Sequence, residues 1–156
     1  MITPIAAQGD APSPSGEGTT APLTAGTDRV RFAGLVFRRL PSGLGSAQVT
    51  LEWKDGRRFV GKAEGVSSSW ADLRLAVEAT IKALAEFSSH RDVFELVGVK
   101  SIRAFDANVI MVSVMGRREG QRKQLVGCRI AEADPLEGAV LATLQATNRL
   151  IGPSTD

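Results

Sequence analysis

Leu73–Ala83 reads LRLAVEATIKA, and Leu136–Ala146 reads LEGAVLATLQA. Set side by side without a gap, the two share Leu, Ala-Val, Ala-Thr and Ala at the same internal spacing, with Ile81 answered by Leu144. In each, apolar residues recur every three to four positions, which is the period of an amphipathic helix. A chain that writes one helix twice is expected to write its surroundings twice as well.

Working outward from the first helix, Val30, Phe32, Leu35 and Phe37 read as a strand with an irregularity near Gly34. Pro41, Ser42, Gly43 and Gly45 supply a turn. Ala47, Val49, Leu51 and Trp53 then alternate with Gln48, Thr50 and Glu52, as in a half-buried strand, and Asp55-Gly56 marks a hairpin into RRFVGKAEG. The helix is expected over about Ser69 to Ser88, with one of Ser67, Ser68 and Ser69 as N-cap. Asp72 adds a negative charge near the positive end of the helix dipole.

The second half keeps this order. Phe94, Leu96 and Gly98 answer Phe32 and Gly34, a turn falls at Asp106-Ala107-Asn108, NVIMVSVM is the middle strand, and Glu119-Gly120 takes the hairpin position of Asp55-Gly56. QLVGCRI follows, with Gly127 answering Gly61. Asp134-Pro135 opens the second helix as N-cap and first-turn proline, and Gly152-Pro153 stops it. The expected fold is α+β: a tandem duplication of a strand-strand-strand-helix unit, with antiparallel sheets and two helices about a pseudo-twofold axis. The repeats span 29–90 and 91–152 of a single domain. Neither unit alone buries enough surface to be stable, so the two share a core. Residues 1–28, rich in Ala, Pro, Ser, Gly and Thr, are expected to form a disordered tail, and 153–156 a short second one.

The 156 residues carry 19 Lys plus Arg against 17 Asp plus Glu, a net charge of +2, which is far from the positive density of a protein built around nucleic acid. The one cysteine, Cys128, leaves no internal disulfide framework and suits a reducing cytoplasm. No apolar run reaches membrane-spanning length, and the N-terminus lacks the pattern of a signal peptide.

DPLEGAVLATLQATNRL, Asp134 to Leu150, resembles the closing helix of the C-terminal regulatory domain of 2-isopropylmalate synthases, which typically starts with Asp and ends in Ala-x-Asn-Arg/Lys-Leu. Ser42 to Gly65 is similar to that domain's first hairpin, and the domain is itself a pair of strand-strand-strand-helix units. The resemblance covers nearly all of residues 30–151, mostly through packing and turn residues. It implies a regulatory, dimer-forming module that binds a feedback amino acid of the branched-chain type at the loops opening both helices. On this chain those loops hold Gly65, Ser67, Ser68, Ser69 and Asp72 in the first unit and Gly127, Ala131 and Asp134 in the second. Two departures stand out: the domain is expected to stand alone, without the family's catalytic barrel, and Gly65-Val66-Ser67-Ser68-Ser69-Trp70-Ala71-Asp72 replaces the family's Gly-x-Gly-Pro-Val-Asp-Ala.

The residues themselves supply no catalytic constellation, and no cofactor or metal is expected. His90 lies in the hinge between units and Cys128 in a strand; as a pair they would need to meet in space to form a nucleophile with its base. Ser67–Ser69 reads either as a cap or as an anion site at a helix start, and Glu132 with Asp134 makes the second helix start better suited to an ammonium group. Arg38-Arg39, Arg57-Arg58, Arg117-Arg118 and Arg122-Lys123 read as solvated hairpin ends or as contacts to an acidic or nucleic-acid partner. The leading expectation is thus a noncatalytic homodimeric module with a small amino-acid ligand, and the alternative is a protein- or nucleic-acid-binding adaptor.

Overall fold

The computed structural model describes residues 29–132 and 134–151, so the expected tails at 1–28 and 153–156 lie outside the described residues. Strands β1 (Arg31–Arg39), β2 (Leu44–Glu52) and β3 (Arg58–Val66) precede helix α1 (Ser69–Phe87). Strands β4 (Val93–Ala104), β5 (Ala107–Arg118) and β6 (Gln121–Ile130) precede helix α2 (Pro135–Ile151). Each triplet is an antiparallel three-stranded sheet, in the orders β1-β2-β3 and β4-β5-β6. The α+β duplication read from the sequence is therefore the fold.

Both sheets break register at the same place. A bulge falls between Phe32 and Gly34 in β1, and another between Leu96 and Gly98 in β4. Ala47, Val49 and Leu51 of β2 are fully buried, as are Ile110, Val112 and Val114 of β5, on the face that each sheet turns toward its helix. Leu84, Val77, Val140 and the alanines of both helices meet them. Each fully buried Leu, Ile or Val contributes roughly 1.5–3 kcal/mol relative to exposure. α1 packs on its own sheet and also reaches β4, while α2 packs on its own sheet and also reaches β1. This reciprocity gives the two units one core and a pseudo-twofold relation.

The helices approach their sheets as closely as backbone allows, and at matched positions. A Cβ on Gly61 of β3 would overlap the Ala79 carbonyl oxygen and the Ala83 amide nitrogen of α1. A Cβ on Gly127 of β6 would overlap the Ala142 carbonyl oxygen and crowd the Ala146 amide nitrogen of α2. Only a residue without a side chain fits either seat. The buried threonines repeat too: Thr80 Oγ1 donates to the Ala76 carbonyl at 2.8 Å, and Thr143 Oγ1 to the Ala139 carbonyl at 2.7 Å. These hydroxyls satisfy themselves on their own helix, so Thr costs little on a buried face.

One turn differs from the sequence reading. Phe105 and Asp106, not Asp106–Asn108, join β4 to β5, and both adopt left-handed backbone with φ of 53° and 60°. The two positive angles are those of a two-residue hairpin whose twist matches the strands it joins, so Ala107 and Asn108 are already paired in β5.

Candidate functional site

The first helix start is held by a polar cluster around the buried Asp72. Ser68 is the N-cap, its Oγ accepting from the Ala71 N–H at 3.0 Å. Ser67 Oγ donates to Asp72 Oδ1 at 2.9 Å, and Arg39, at the end of β1, reaches Asp72 Oδ2 through Nη2 at 2.7 Å. Arg39 Nε also donates to Ser67 Oγ at 3.3 Å. The Asp72 side chain is 3% exposed, while that of Arg39 is 69% exposed. A buried carboxylate is tolerable here because a guanidinium and a hydroxyl both face it.

The second helix start is plainer. Asp134 Oδ1 accepts from the Leu136 N–H at 3.0 Å, and Pro135 occupies the first helical position. Its carboxylate stays exposed.

The fold sets these two starts around one cavity of about 550 Å³. Ser69, Trp70, Asp72 and Leu73 line it from α1, Asp134, Pro135 and Leu136 from the start of α2, and Arg39 and Ser101 from strands β1 and β4. Leu73, Leu136, Pro135 and the Trp70 indole form an apolar surface; Asp134 and the Asp72–Arg39 pair put both signs of charge beside it. Arg74 sits over the half-exposed Trp70 ring, 5.5 Å from its centroid. The Arg39 guanidinium has five N–H donors and spends two on Ser67 and Asp72, so its fork retains donors for a ligand.

Of the residues singled out in the sequence, Ser69, Asp72 and Asp134 meet in this cavity. Ser67 and Ser68 stand behind its wall, committed to Asp72 and to the cap. Ala131, with Asp134, lines a second cleft of about 430 Å³ between the end of β6 and the start of α2, beside Glu132 and Glu137. Gly65 packs against Leu75, and Gly127 is the close-approach seat against α2; neither lines the cavity. Arg39, read in the sequence as a member of a basic doublet, also lines the cavity, as do Trp70 and Ser101, which were not among the expected ligand residues. Trp70, a large aromatic in the first turn of an otherwise Ala- and Leu-lined helix, was a signal within reach, whereas Ser101 depends on how β4 meets α1.

The remaining candidates have local explanations. His90 Nε2 lies 4.0 Å from Glu86 Oε2 in the link between units, and the Cys128 N–H donates to Gln145 Oε1 at 2.7 Å. Among the described residues, no three of His, Cys, Asp and Glu gather closely enough to hold a metal ion. Three of the four basic doublets place a member in an intramolecular pair: Arg39 with Asp72, Arg57 with Asp55 and Arg58 with Glu52, and Arg118 with Asp92. No described helix is long and apolar enough to cross a membrane. No protein-family model matches the chain, and no curated protein matches it in sequence.

Proposed function

We propose that the chain is a noncatalytic regulatory module that binds a small branched-chain amino acid between its two helix starts and works as a homodimer. In organisation it follows the regulatory domain of 2-isopropylmalate synthases that its sequence resembles. The observation that carries the reading is the cavity where Ser69–Leu73 meets Asp134–Leu136. An α-amino acid needs a carboxylate for its ammonium, a cation or N–H donors for its carboxylate, and an apolar wall for its side chain. Asp134, Arg39 and the Leu73–Leu136–Trp70 surface supply these in turn. The low dielectric of a partly enclosed site strengthens both ionic contacts, and a concave, mainly apolar lining with a few convergent polar groups is the usual form of a small-molecule site.

Trp70 makes the reading testable by fluorescence, since the other tryptophan, Trp53, packs at 5.0 Å against the Phe87 ring at the far end of α1. Leucine, isoleucine and valine should each be titrated against glycine as the ligand without a side chain. The expected result is a saturable change in emission with a branched-chain compound, lost in Trp70→Phe and weakened in Arg39→Ala, with a matching rise in melting temperature. A ligand at about a hundred times its Kd adds roughly 2.7 kcal/mol of stability. Emission and melting temperature unchanged by all four compounds would remove the sensor reading.

A further inference from the structure

The two sheets are alike on the face turned to the helices and unlike on the other. With the helix-seating glycines Gly61 and Gly127 taken as equivalent, the outward residues of β2 and β3 correspond to those of β5 and β6 one for one. Where the first sheet has Gln48 and Glu52 in its middle strand, the second has Met111 and Met115. Where the first has Lys62 and Glu64, the second has Cys128 and Ile130. On the β1 and β4 strands, Arg38 gives way to Ile102, with the opposite exchange at Val36 and Lys100. A mixed outer face, on which Val36, Val60 and Val66 are exposed among the charges, has become a more apolar one, bearing exposed Met111, Val126, Ile102 and Ile130. At its hairpin end stands Phe105, fully exposed and in left-handed backbone, a conformation that a bulky side chain rarely adopts.

We infer that the outer face of the β4-β5-β6 sheet is the surface on which a second copy of this chain docks, about a twofold axis lying between the sheets and running across the strands. The inference specifies the surface for the dimer proposed above and rests on that part of the reading alone. Two considerations support a second copy as the occupant. Strands of about ten residues at ~3.4 Å each, three abreast at ~4.8 Å, give a footprint of roughly 500 Å² per copy. Doubled, that is about 1,000 Å², the lower limit of a specific interface, so the dimer is a reversible one.

Of the four charged residues on the face, Glu95 and Lys100 are mutually complementary, while Arg117 and Arg122 stand at its far end. Glu95 and Lys100 lie on the outer side of β4, paired with Met115 and Met111 and on either side of the row that Gly98 shares with Ser113. An axis through that row reverses β4 over its copy, setting Glu95 of one chain over Lys100 of the other and Met111 over Met115. Apolar contact then fills the middle, and two symmetry-related ion pairs flank it. On the first sheet Arg38, Gln48, Glu52, Lys62 and Glu64 break up the exposed Val36, Val60 and Val66, so its apolar surface is less continuous.

The test is sedimentation equilibrium of the full chain between about 1 and 200 μM. Wild type should show a monomer–dimer equilibrium. Met111→Arg should weaken it at least about tenfold, which is roughly 1.4 kcal/mol, and Gln48→Arg, the same change at the matched position of the first sheet, should leave it unmoved. Lys100→Glu and Glu95→Lys should each weaken the dimer and their combination should restore it, an outcome that only the twofold pairing predicts. Because these side chains lie on the outer face, melting temperatures should stay near wild type; Val126→Arg serves if Met111→Arg melts early. A dimer indifferent to Met111→Arg and Val126→Arg overturns the surface while leaving dimerisation intact, and a failed charge-swap rescue overturns the axis. A wild-type monomer throughout removes the dimer as well, without touching the amino-acid site.

Discussion

The two halves of the chain agree in their middles and differ at their ends. Gly61 and Gly127 seat the helices in the same way, and Thr80 and Thr143 bond back to their own helices alike. The helix starts share nothing beyond being capped: one uses Ser68 with a buried Asp72 held by Arg39 and Ser67, the other Asp134 with Pro135. The second half puts its buried ion pair elsewhere, with Arg118 Nε 3.1 Å from Asp92 Oδ1 and Arg118 Nη1 donating to the Leu150 carbonyl at 2.9 Å. Backbone against backbone admits one solution, so the middles match; capping admits several, so the ends are free to diverge. The cavity lies at the diverged ends, and the more apolar outer face belongs to the second half.

The sharpest way to break the claim that the middles are equivalent is to add a methyl group to each. Gly61→Ala and Gly127→Ala should both destabilise by about 3 kcal/mol or more, since the obstructing atoms are helix backbone and cannot swing aside. The bulge glycines Gly34 and Gly98 have open space and no positive φ, so alanine there should change stability by less than about 0.5 kcal/mol. Urea unfolding of the four variants decides it. A near-neutral Gly127→Ala beside a severe Gly61→Ala would mean that the second unit is held less closely than the first.

The two buried aspartates sharpen the contrast between the ends. Asp92 is 2% exposed and its partner Arg118 only 24%, so Asp92→Ala strands a cation with limited access to water and should cost about 2–3 kcal/mol. Asp72→Ala releases Arg39, whose side chain is already 69% exposed and readily solvated, so about 1 kcal/mol is expected. Chemical denaturation of both variants against wild type checks the order. Equal costs would indicate that the helix start is as rigidly tied as the junction between the units.

Much of this architecture was legible in the sequence because it depends on period and turn chemistry. The alternation through Ala47–Leu51, the helical spacing of Leu73–Leu84 and the Asp134-Pro135 cap each depend on a few neighbouring residues. The turn at Phe105-Asp106 was misplaced because a phenylalanine in left-handed backbone runs against every local preference. The cavity was half legible: a ligand site at the helix starts placed Ser69, Asp72 and Asp134, but Arg39 and Ser101 come from strands far away in sequence. The apolar outer face was open to reading, yet it shows only when the register of the two sheets is laid side by side. Alternation marks a strand without saying which of its faces meets the core.

The smallest effect separates the two matched hairpins. Glu119-Gly120 is a two-residue turn with both angles left-handed, whereas the Asp55-Gly56 turn is longer, closed by the Trp53 and Arg57 backbone, with only Gly56 left-handed. There Asp55 Oδ1 accepts from the Arg57 N–H at 3.0 Å and Oδ2 from Arg57 Nε at 2.7 Å. Donation from the Arg57 backbone N–H is the chief reason that the Asp55 carboxyl titrates below its ordinary value of 3.8, with the Arg57 side chain adding to it. A carboxylate with a lowered folded-state pKa contributes its stabilisation above the unfolded value and loses it as pH falls through the folded one, so the window lies below pH 3.8. Carboxyl carbon shifts followed by NMR should place the Asp55 midpoint under that value. In Arg57→Ala the midpoint should rise only part of the way, because the backbone donor survives the substitution. A full return to the ordinary value would make the side-chain ion pair, and not the turn, the cause.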